Sequence, residues 1–82
     1  MNEQSLNIEV KTFYILISQL NNERQVEDFT RCLCSESELK ELVKRFVILR
    51  ELKSGKKSLD LIKKFPQEAY TIARIIFAMK NL

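Results

Sequence analysis

Residues 58–79 read SLDLIKKFPQEAYTIARIIFAM, and this stretch decides the fold. Leu61, Ile62 and Phe65 recur on one side of a first short helix. Ile72, Ile75 and Met79, at i, i+3 and i+7, make one side of a second. Pro66 stands between them, and proline is accepted in the first turn of a helix, so the second helix is expected from about residue 66 to residue 81. Ser58 is the expected N-cap of the first helix, with Asp60 favourably placed near its positive end. Two short helices joined by a tight turn are the build of a helix-turn-helix, whose second helix can be offered to the DNA major groove.

Upstream, Gly55 is the only glycine in the chain and marks the end of a long helix. That helix starts at a capping box, Ser35-Glu36-Ser37-Glu38. Leu39, Leu42, Val43, Phe46, Val47 and Leu49 follow at helical spacing, with Arg50 and Lys53 suited to the negative end of the dipole. A shorter helix over residues 23–33 carries Val26, Phe29 and Leu33 on one face, with Cys32 beside them. A first helix over residues 5–21 carries Val10, Phe13, Tyr14, Ile17 and Leu20, and Asn21-Asn22 suit its stop. The expectation is an all-α fold of about five helices in a single 82-residue domain: 1–34 as dimerisation helices, 35–55 as the long central helix, 58–81 as the helix-turn-helix.

The composition excludes several classes. One glycine and one proline are too few for the turns of a β protein. There is no histidine, no Gly-rich phosphate loop and no nucleophile beside a base, so no enzyme chemistry and no cofactor is expected. Cys32 and Cys34 are too few ligands for a zinc site and are expected as free thiols, packed as small apolar groups in a reducing cytoplasm. No apolar run reaches the ~20 residues of a membrane span, and residues 1–10, MNEQSLNIEV, are too polar for a signal peptide. The net charge is +3, and Lys53, Lys56, Lys57, Lys63 and Lys64 cluster around the two-helix unit against Asp60 alone. Such a surface suits a phosphate-rich partner, although a solvated lysine face would look the same.

Several of these residues together resemble the Trp-repressor superfamily, and most closely its YerC/YecD-like branch. Phe29 and residues 33–39, LCSESEL, stand where the family has its F…L-C/L-T-P-x-E-L lead-in to the long helix. Arg45 stands at the family's mid-helix arginine, Gly55-Lys56 at the helix end, and Thr71-Ile72-Ala73-Arg74 where the family has T-I-T-R. The match covers roughly the last two-thirds of the chain. It implies an intertwined homodimer in which the amino-terminal helices of two chains form one core and paired helix-turn-helix units project from it. The last helix independently calls for a second subunit, because Tyr70, Ile72, Ile75, Ile76, Phe77 and Met79 make it apolar on several sides.

The resemblance also implies roles. Gln67, Tyr70, Thr71 and Arg74 are expected to face double-stranded DNA, with Lys56, Lys57, Lys63 and Lys64 on its backbone. Ser35, Arg45 and Arg74 correspond to effector-binding positions. Ile75 replaces the small residue that an indole pocket needs, so tryptophan is not the expected effector. Two arginines suit another carboxylate, or serve in structural ion pairs, Arg45 with Glu38 or Glu41. Pro66 in the turn, Ile62 at the helix crossing and Glu68 at the tip depart from the family. They leave a second expectation: a helical dimerisation module that no longer reads DNA.

Overall fold

The computed structural model describes residues 1–82 and is all-helical. The chain contains α1 (Glu3–Ser18), α2 (Glu23–Leu33), α3 (Glu36–Lys53), α4 (Ser58–Lys64) and α5 (Ala69–Ala78). Short 3-10 turns, Pro66–Glu68 and Met79–Asn81, flank α5. No helix is long and apolar enough to cross a membrane. The chain divides into two compact units, Met1–Ser35 and Glu36–Leu82.

In the first unit, both helices begin at an asparagine. The Asn2 side chain accepts from the Ser5 amide at 2.8 Å, and the Asn22 side chain from the Gln25 amide at 2.9 Å. The Gln25 side chain in turn accepts from the Asn21 amide at 2.8 Å, so Asn22 serves chiefly as the start of α2. α1 ends at Ser18, three residues earlier than expected. There the Ser18 hydroxyl donates to the Ile15 carbonyl, and the Gln19 and Leu20 amides tighten to i−3 carbonyls. Phe13 and Phe29 join the two helices, with ring centroids 6.0 Å apart. Neither helix has a fully buried residue. Val26 and Leu33, expected inside with Phe29, are exposed, as is Cys32; Cys34 is half-buried and both thiols are free.

The second unit is built on Ile48, Leu61 and Ile72, one from each of α3, α4 and α5, all fully buried. Leu52, Ile62, Phe65 and Ile75 pack around them. Ile62 therefore sits at the margin of this core, where its bulk is accommodated. The central residue of α3 is Ile48; of the expected apolar set, Leu39, Val47 and Leu49 are half-buried, while Leu42, Val43 and Phe46 are about half exposed. The stripe of α3 turned inward also holds Lys44, Glu51 and Leu52, so α3 packs with a mixed face and leaves its more apolar face outward.

Gly55 ends α3 with φ +99°, in the left-handed region. The Lys56 amide donates to the Glu51 carbonyl and the Gly55 amide to the Leu52 carbonyl, both at 3.1 Å, which satisfies the last carbonyls of the helix. A Cβ at Gly55 would meet nothing within 4 Å, so Gly55→Ala carries a purely conformational cost of roughly 1–2 kcal/mol. Urea denaturation should show this loss, with Gly55→Asn recovering part of it; an unchanged midpoint for the alanine variant would contradict the assignment.

Candidate nucleic-acid interface

The interface starts from how α4 hands over to α5. Phe65 has φ −126° and ψ 70°, outside the helical region, because the ring of Pro66 crowds the preceding residue. Pro66 then opens a 3-10 turn, closed by the Glu68 amide donating to the Phe65 carbonyl at 3.0 Å, before α5 starts at Ala69. Gln67 therefore lies on this turn and not within the helix. At the other end of α4, Lys57 holds the N-cap position with no side-chain cap. Ser58 is the first helical residue rather than the cap, and its neighbour Asp60 lies in the first turn.

α5 has two distinct sides. Ile72 is buried, and Thr71, Ile75 and Met79 are half-buried beside it. Thr71, expected to face DNA, is half-buried beside Ile72. Gln67, Ala73 and Arg74 are exposed, as are Tyr70 at 81% and Phe77 at 71%. The apolar surround expected for α5 is therefore only half present within one chain. Lys56, Lys57, Lys63 and Lys64 are all exposed. Lys56 and Lys57 lie in the loop after α3, and Lys63 and Lys64 end α4. Both pairs belong to the same compact unit as α5.

Glu68 is the only acid in residues 61–82. Its carboxylate does not stand free at the front of α5 but accepts from the Lys44 ammonium of α3 at 3.3 Å, with the side chain 19% exposed. Lys44 also reaches Glu41 at 3.1 Å. Glu41 first, then Glu68, hold the Lys44 pKa above the ordinary lysine value. The raised value means that the charged form is favoured in the fold. This contribution is complete below the ordinary lysine pKa and is lost only as pH rises through the raised one. At neutral pH the repulsion expected between Glu68 and phosphate is therefore offset by a cation already bound to it.

The two arginines meet at a groove between α3 and α5 of about 370 Å³. Its walls are apolar, with Leu42, Phe46, Ile75 and Met79 among them, and Arg45 and Arg74 are its only charged residues. Glu41 is taken by Lys44, and neither Arg45 nor Arg74 makes an ion pair within the chain. The structural ion pairs expected for these arginines are thus not formed. No group of histidine, cysteine or acidic side chains is placed to hold a metal ion.

No family model, curated protein or solved structure matches the chain. The functional reading rests on the residues themselves.

Proposed function

We propose that the protein is a cytoplasmic, sequence-specific DNA-binding transcriptional regulator of the Trp-repressor-like class, acting as an intertwined homodimer, with α4 and α5 as its helix-turn-helix. The observation that carries this reading is the outward side of α5. It presents Tyr70 and Arg74, it contains no acid, and exposed Gln67 on the preceding turn and lysines at positions 56, 57, 63 and 64 accompany it in the same unit. Arg74 suits a guanine or a phosphate, Gln67 an adenine, and the lysines suit backbone phosphates. Glu68, the acid next to α5 that would oppose this, is paired with Lys44.

The homodimer is supported by what the chain leaves uncovered. Leu6, Ile8, Phe13, Tyr14, Ile15 and Ile17 of α1 are all 40% or more exposed. Leu42 and Phe46 of α3 are 52% and 56% exposed. So many exposed large apolar side chains, within each unit, favour a protein contact. The same faces favour the second reading, a helical dimerisation module without DNA binding, because they need a partner whether or not DNA is read. The groove with its two unpaired arginines suits a carboxylate-bearing apolar effector; Ile75 in its wall disfavours tryptophan.

The two readings part on the exposed cations. Arg74→Ala and Lys63→Ala should each weaken binding to duplex DNA and lower the log–log salt slope by about 0.9 for each phosphate contact removed. Sedimentation should find both variants still dimeric. Unchanged affinity and slope would place the contact surface elsewhere and leave the dimerisation module.

A further inference from the structure

One line of α5 lies outside the core and continues past the contacts assigned above. Tyr70, Ala73, Arg74 and Phe77 fall close to one line of the helix, at i, i+3, i+4 and i+7, and all four are exposed. Tyr70 and Phe77 are on the order of 10.5 Å apart along the axis. Two members of the line, Ala73 and Phe77, have no hydrogen-bonding group, and Phe77 is the most exposed phenylalanine of the chain at 71%. The Lys80 ammonium lies 5.2 Å from the centre of its ring.

A second copy of this chain is a poor cover for this line. A two-fold contact sets the same patch against itself. Here it would set a patch carrying Arg74 and Lys80 against the same two cations of the partner, with no acid on α5 to compensate. The outward face of α3 carries no such conflict, since acids and bases are interspersed along it, and α1 has no charge between residues 12 and 18. Cations between apolar side chains instead complement a surface that alternates negative oxygens with small apolar groups. The DNA major groove is that surface. Its one apolar feature on a base edge is the thymine C5-methyl, which alanine and phenylalanine side chains contact, while guanine O6 and N7 accept from arginine.

We propose that the outer line of α5 recognises thymine through its C5-methyl, with Phe77 and Ala73 as the specificity-determining contacts and Arg74 on a neighbouring guanine. This rests on the reading of α5 as the DNA-facing helix. It assigns Phe77 a role in sequence choice that its place late in the helix does not suggest.

The test uses the full chain and duplexes that it selects from a random-sequence pool, remade with deoxyuridine in place of thymidine. Base pairing and charge are then unchanged and only methyl groups are lost. Affinity should fall about fourfold for each methyl contacted, following the free energy of one buried methyl group. Phe77→Ala should bind thymine and uracil duplexes with a smaller difference between them, while remaining dimeric by sedimentation. Equal wild-type affinity for the two duplexes would overturn thymine reading and leave DNA binding intact. So would a pool that is bound but not enriched, or a Phe77→Ala variant that keeps the full difference. Dissociation of that variant into monomers would make Phe77 a subunit contact and overturn the proposal. Failure to retain any duplex at low salt would remove the DNA-binding reading itself.

Discussion

Ile48→Ala should cost about 2–5 kcal/mol of stability, a large share of what a chain of this length possesses. Ile48, Leu61 and Ile72 are the only fully buried side chains, and each comes from a different helix. Removing the Ile48 side chain beyond Cβ takes away the α3 member of the cluster in which α3, α4 and α5 meet. Leu52 and Phe65 are only partly buried at the margin and are tied to their own helices, so the cavity can collapse only in part. The destabilised variant should show a lower urea midpoint with an unchanged slope, since the same surface is exposed on unfolding. A loss below about 1 kcal/mol would mean that the second unit is not held by this three-residue core.

Phe46→Asp should dissociate the proposed homodimer. Phe46 is more than half exposed in one chain, and its ring touches the Arg50 guanidinium of its own helix at 5.4 Å from the ring centre. If this outward face of α3 is covered by the partner, each copy loses a buried aromatic worth ~1.5–3 kcal/mol, and two copies together weaken association by about 10²–10⁴-fold. The introduced carboxylate adds desolvation to that loss. The monomer's own core, centred on Ile48, is untouched, so the variant should remain helical while sedimenting as a monomer at micromolar concentration. An unchanged sedimentation coefficient would take Phe46 out of the subunit contact. A wild-type chain that is itself a stable folded monomer at that concentration would contradict the interlocked dimer.

The residues that were legible in the sequence are those whose constraint is local. Gly55 declares itself because a left-handed helix end favours glycine strongly. Pro66 fixes the break between α4 and α5 through the conformation that it forces on Phe65. The inward face of α3 was not legible. Residues 46–49, FVIL, are apolar without interruption, so periodicity does not choose among them. The stripe that packs inside is interrupted by Lys44 and Glu51, and Lys44 is there to meet Glu68, twenty-four residues away. A pairing that distant leaves no mark in local spacing. The same pair explains why Glu68 reads as an obstacle to phosphate in the sequence and as a compensated charge in the fold.

The candidate site divides in the same way. The basic residues 56, 57, 63 and 64 were visible as a cluster, and the fold keeps them exposed. That Arg45 and Arg74 line one groove follows from the packing of α3 on α5, which brings together positions twenty-nine residues apart. The half-burial of Thr71 was not legible because the T-I-A-R run names residues and not directions. The burial of Ile72 beside it sets which way the helix is turned.

The salt dependence of binding to mixed-sequence duplex DNA tests the central claim most directly. A dimer that engages phosphates through lysines 56, 57, 63 and 64 of each chain should be retained on DNA at low salt and released steeply as salt rises. Its log–log slope should increase by about 0.9 for every phosphate neutralised. A folded dimer that is not retained at low salt, or whose weak retention does not respond to salt, would contradict the account and leave a helical module whose α4–α5 unit does not bind DNA.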